Sequence, residues 1–152
     1  MESEPPTPES LLSEWVEIRN LGNDSVHFST IQLRHIFFDP SCYATGESEI
    51  YWQGGSDEYL KPLQTLRIHT GHQSDAHLLS GDDLTDADWH GYAGWHHFIL
   101  NNQCGDKLIL TWRDSFDRSF LDWAAFAPNP AEDTILTRSG NLLTKSGAAV
   151  SF

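Results

Sequence analysis

Six of the eight histidines lie between residues 69 and 97, at His69, His72, His77, His90, His96 and His97, interspersed with Asp75, Asp82, Asp83, Asp86 and Asp88. Imidazole nitrogen and carboxylate oxygen are zinc donors, and closely spaced carboxylates suit a hard cation such as calcium. The spacing fits neither template. No HExxH pair occurs, and Gly81 to Asp88 lacks the glycine and terminal glutamate of an EF-hand loop. Zinc or calcium held by His69, His77 and His90 with Asp82, Asp86 and Asp88 would make a metal-dependent hydrolase, and this is the alternative reading. The preferred reading is solvated loop histidines with one or two filling the sandwich rim, with Gly81 to Asp88 forming the acidic first turn of a short helix capped by Asp82 or Asp83, and no cofactor.

Aromatic rings are the second source of chemistry. Trp52, Trp89, Tyr92 and Trp95 sit in or beside expected loops, and Gly91-Tyr92-Ala93-Gly94-Trp95 surrounds its rings with glycine. Trp89, Tyr92 and Trp95 are therefore the candidate binding residues, for a partner protein or, alternatively, a carbohydrate. Trp15, Trp112 and Trp123 are expected to be structural. Nucleophilic catalysis has no foothold, since no GxSxG elbow is present and Cys42 and Cys104 have no adjacent histidine.

These residues must be positioned by strands. Glu14 to Asn20 alternates, with Val16 and Ile18 on one face and Glu17 and Arg19 on the other. After the turn at 21–24, Ser25 to Leu33 predicts a second strand whose apolar phase slips between Phe28 and Ile31, as at a bulge or a corner between sheets. Ile50 to Trp52 and Thr65 to His69 follow, then a long surface loop over 70–95. His96 to Leu100, Lys107 to Arg113 and Ser119 to Ala127 are the closing strands. The last two form a hairpin that sets Leu108, Leu110 and Trp112 opposite Leu121, Trp123 and Ala125. Residues 1–12 are expected to be a disordered leader, and 128–152 a loosely packed tail.

Composition narrows the partners. The 152 residues carry 22 acidic against 9 basic side chains, a formal charge of −13, which disfavours nucleic acid and anionic membranes. No apolar run approaches the roughly 20 residues needed to span a bilayer. Met1 to Ser10 has no basic, then apolar, signal-peptide pattern, so the expectation is a cytoplasmic protein, or else a fragment of a longer secreted one. Two distant cysteines, Cys42 and Cys104, indicate neither a disulfide framework nor a cysteine zinc site, and a single bridge between them stays open.

Several blocks occur in the order found in lamin-tail domains. Glu14-Trp15-Val16-Glu17-Ile18-Arg19-Asn20 resembles the opening "E-x-V-E-I-x-N" strand, and Val26-His27-Phe28-Ser29 with Ile31 and Leu33 the second. Pro62 to Ile68 resembles the middle motif. Asn101-Asn102 with Gly105-Asp106-Lys107-Leu108-Ile109-Leu110 resembles the "N-x-G-D-x-V-x-L" block, and Asp114 to Phe126 the final hairpin. The resemblance covers residues 13–127 and implies an immunoglobulin-like β-sandwich of about seven to nine mostly antiparallel strands. It also implies a non-catalytic, protein-binding interaction module with no catalytic residues. The chain departs from that family in its long His- and Asp-rich 69–95 segment and in having no adjacent coiled coil.

Overall fold

The computed structural model describes residues 6–100, 103–126, 135–136, 138–139, 142–143 and 149–151. Helix α1 (Pro8–Ser13) is followed by β1 (Trp15–Arg19), β2 (Val26–His27), β3 (Gln32–Phe38), β4 (Ala44–Gln53), β5 (Tyr59–Leu60) and β6 (Thr65–His69). Helix α2 (Gly81–Thr85), β7 (Trp89–Tyr92), β8 (Asp106–Arg113) and β9 (Ser119–Phe126) come next. Short strands β10 (Ile135–Leu136), β11 (Arg138–Ser139), β12 (Leu142–Leu143) and β13 (Ala149–Ser151) complete the described elements.

One sheet runs β10-β13-β1-β6-β7, a second runs β11-β12-β9-β8-β3-β4, and β2 and β5 form a small third. The long pairings β1 with β6, β3 with β4 and β8, and β8 with β9 are all antiparallel. The fold is an all-β sandwich. Its core follows from period-two alternation: Val16, Ile18, Leu66 and Ile68 from one sheet meet Leu33, Leu108, Leu110 and Ala124 from the other, with Phe28, Ile31, Tyr51 and Leu60 filling the gap.

Two polar residues bracket β1. At its start the buried Glu14 carboxylate accepts hydrogen bonds from Thr70 Oγ1 and from the amides of Ile99 and Leu100. At its end Asn20 Nδ2 donates to the carbonyls of Asp24 and Leu60, while its Oδ1 accepts from the Gly22 amide. Each joins segments far apart in sequence through groups that burial would otherwise leave unpaired.

The structure corrects several expectations. The leader does not extend to residue 12: Pro8 opens α1, Thr7 and Ser10 form a capping box, and Leu11 and Leu12 are buried. They lie so close to Gly71 that a Cβ there would stand 3.1 Å from Leu12 Cδ2. The phase slip after Phe28 is a 3-10 turn over Phe28–Thr30, where the chain leaves the small sheet and enters β3. The strand around Ile50–Trp52 is the far end of the ten-residue β4.

The 70–95 segment is not one long loop. It holds a 3-10 turn (Gln73–Leu78), α2, and β7, which pairs in parallel with β6. His96 to Leu100 is not a strand, because the Ile99 and Leu100 amides go to Glu14 instead of a neighbouring strand. In the β8–β9 hairpin the register sets Leu108, Leu110 and Trp112 opposite Ala124, Asp122 and Phe120, so Leu121 and Trp123 face outward. Both faces of β9 carry apolar residues, which left its phase ambiguous by one residue. The expectation for the 128–152 tail falls mostly outside the described residues. Within it, β12 pairs with β9 and β13 with β1, both in parallel.

Cys42 and Cys104 form a disulfide that ties the turn between β3 and β4 to the segment entering β8. Among the described residues, no helix is long and apolar enough to cross a membrane.

Candidate functional sites

A groove of about 360 Å³ opens at one end of the sandwich. Ile18, Val26, Ile31, Leu60, Leu110 and Trp112 line its walls, and Leu21 and Phe120 stand on its rim. Both edges are pre-ordered. The 20–26 turn is held by the three hydrogen bonds of Asn20. The 114–118 turn is held by Asp114, whose Oδ1 accepts from the Phe116 and Arg118 amides and whose Oδ2 accepts from Arg118 Nε at 2.7 Å. Trp112 stacks on Phe120 with ring centres 5.6 Å apart. Leu21 is 77% exposed, so the rim presents apolar surface to solvent. The groove therefore combines apolar walls with fixed rims. Its lining comes from four separated stretches, and the only local signal in the sequence is Leu21 at a turn otherwise made of polar residues and glycine.

The metal-candidate residues do not converge. His69 and His90 are neighbours, with His69 Nε2 2.9 Å from His90 Nδ1. Burial lowers the His69 pKa to about 4. His77 is exposed, with Nδ1 3.1 Å from the Ser74 carbonyl. Asp86 Oδ2 is 3.8 Å from Arg67, and Asp88 accepts from the Thr65 amide and hydroxyl. Asp82 lies exposed in the first turn of α2, and the cap is Ser80, with Asp83 closing the box, rather than Asp82 or Asp83. Among the described residues no group of three or more His, Cys, Asp or Glu side chains is placed to hold a metal ion.

The candidate aromatics cover the core edge. Trp89 is half-buried, meets Phe28 edge to face and donates from Nε1 to Gln64 Oε1. Tyr92 stacks on His69, and burial raises its phenol pKa. Trp95 is half-buried and donates from Nε1 to the Tyr51 carbonyl. Trp52 lies beneath β7, so a Cβ at Gly91 would stand 3.1 Å from its ring. Trp15 packs under the Arg67 guanidinium at 3.9 Å, and Trp123 under Lys107 at 4.5 Å.

Two further ionisable groups, Glu14 and His35, are buried. Burial raises the Glu14 pKa to about 7 against the opposing hydrogen bonds from Thr70, Ile99 and Leu100. His35 lies between carboxylates, with Nε2 2.6 Å from Glu49 Oε1 and Nδ1 3.5 Å from Asp106 Oδ2. Burial would lower its pKa, but Asp106 and Glu49 together raise it. No sequence spacing links residues 35, 49 and 106; only the pairing of β3 with both β4 and β8 brings them together.

Comparison with protein-family models, with curated proteins and with solved structures returned no match.

Proposed function

We propose that this chain is a non-catalytic interaction module of the lamin-tail type, with an immunoglobulin-like sandwich, that holds an apolar segment of a partner protein in the groove between β1 and the β8–β9 hairpin. The observation that carries this reading is an apolar-walled groove whose two rims are fixed by Asn20 and Asp114 before any partner arrives. A site that is already ordered binds without the entropy cost of arranging its own loops. The half-burial of Trp89, Tyr92 and Trp95 against the core weighs against the carbohydrate reading. The Cys42–Cys104 bridge favours an oxidising compartment over the cytoplasm expected from the sequence, because cytosolic thiols are kept reduced. Peptide display against the immobilised domain tests the proposal. Selected peptides are expected to share an apolar anchor and to bind about tenfold or more weakly to a Leu21→Asp, Phe120→Asp variant, both positions being exposed. Peptides indifferent to those changes would contradict it.

A further inference from the structure

His69 and His90 stand at one junction of four elements. In the parallel pairing of β6 with β7, His90 lies opposite Arg67 and His69 opposite Tyr92. His69 Nδ1 is 2.7 Å from the carbonyl of Leu12 in α1, and His90 Nε2 is 2.9 Å from the carbonyl of Leu84 in α2. Between the rings, His69 Nε2 and His90 Nδ1 are 2.9 Å apart. The ring planes differ by 15° and their centres are 5.1 Å apart, so the imidazoles meet end to end rather than face to face. In-line nitrogens this close accommodate a proton. A zinc ion needs converging lone pairs and about 2.0–2.1 Å to each nitrogen.

The proton count is the informative feature. Three contacts link four ring nitrogens and two carbonyls, and the carbonyls only accept. Each contact needs one proton, so three are required, whereas two neutral imidazoles carry two. A neutral pair must therefore leave one contact unmade. Leu12 is buried, so its carbonyl has no water to turn to, whereas Leu84 is 43% exposed. Two bare ring nitrogens would repel at 2.9 Å, so the contact between the rings keeps its proton and the contact to Leu84 is the one given up. Both rings then carry the proton on Nδ1: His69 donates to Leu12, His90 donates to His69 Nε2, and His90 Nε2 faces Leu84 bare.

We propose that His69 and His90 form a proton-operated latch on α2, in which uptake of one proton by the pair makes the His90–Leu84 hydrogen bond and fastens that helix to the sheet. Arg67 on β6 opposes the added charge and Asp83 on α2 favours it. Tyr92 on β7 stacks on His69 as a neutral phenol, α1 contributes the Leu12 carbonyl, and the β1 residue opposite His69 is the uncharged Trp15. Burial sets the transition below the ordinary imidazole range.

Long-range proton–nitrogen NMR spectra of the uniformly labelled full chain, recorded from pH 7.5 to pH 3, test this directly. The expected result at the upper end is both rings in the Nδ1–H form. Acidification should then add one proton to the pair, shifting the nitrogens of both rings along one shared curve. Amide exchange of residues 81–85, corrected for its intrinsic pH dependence, should slow by about three- to tenfold over the same curve. In a His90→Gln variant the change in exchange should disappear. Independent titration of the two rings, or protection of 81–85 that does not vary with pH in the unaltered chain, would overturn the proposal. The unaltered chain decides the matter even if the variant does not fold.

Discussion

The Leu100 amide donates to Glu14 Oε1 at 3.0 Å, joining positions 86 residues apart. With the Ile99 amide and the Thr70 hydroxyl on Oε2, this carboxylate fastens the start of β1 to the end of β6 and to the segment before β8.

Replacing Glu14 by alanine should therefore strand the buried Ile99 and Leu100 amides, while the Thr70 hydroxyl turns to Tyr51 Oη, 2.6 Å away. At a typical 1–3 kcal/mol for each group left unpaired, the expected loss is about 2 kcal/mol or more. Glu14→Gln keeps one acceptor oxygen and should cost less. Denaturant unfolding of both variants at pH 6 checks the order.

Stability should fall on both sides of a mildly acidic plateau. Glu14 has its folded pKa raised from 4.5 to about 7, so its contribution is full below 4.5 and is lost as pH rises towards 7. His35 is raised from 6.5 and loses its contribution as pH rises above that value. His69 is lowered from 6.5 to about 4, so its contribution is full above 6.5 and is lost as pH falls towards 4. The Glu14 and His69 slopes oppose each other between 4.5 and 6.5. Thermal unfolding from pH 4 to 8 is expected to show a plateau there and a decline above it, and Glu14→Gln should weaken that decline.

Arg67 is buried at 8% exposure, donates from Nε and a terminal nitrogen to Glu17 Oε1 at 3.1 and 3.0 Å, and covers Trp15. Lysine offers one point charge in place of a planar fork. Arg67→Lys is expected to cost about 1–3 kcal/mol in chemical unfolding and to alter tryptophan emission through Trp15.

Reducing the Cys42–Cys104 bridge frees a 62-residue separation in the unfolded chain. The expected loss is about 2–4 kcal/mol, measured as the drop in melting temperature with a phosphine reductant or in a double serine variant. A bridge of that size is consistent with a domain whose β3–β4 turn is otherwise held mainly by local hydrogen bonds of Asp39.

The strands that the sequence made legible are those with one buried face and an antiparallel partner. Val16 and Ile18, Leu66 and Ile68, and Leu108 and Leu110 all alternate cleanly. β7 carries no such signal, since a short strand reading Trp-His-Gly-Tyr is half-buried throughout and pairs in parallel. His96 to Leu100 has strand-like composition, but its amides are claimed by a carboxylate 85 and 86 residues away, which no local window reveals. The candidate sites were less legible. Ligand density around 69–97 did not imply convergence, because His69 and His90 turn inward while His77 and Asp82 remain exposed. The groove was invisible, since its walls are core residues whose alternation signals burial alone.

Chemical-shift mapping of the labelled domain with a display-selected peptide is the measurement that bears most directly on the proposed interaction. The expected shifts concentrate at Leu21, Val26, Leu60, Leu110, Trp112 and Phe120, around the groove. Shifts confined to residues 89–95 or to the exposed β4 edge, with the groove unmoved, would contradict it.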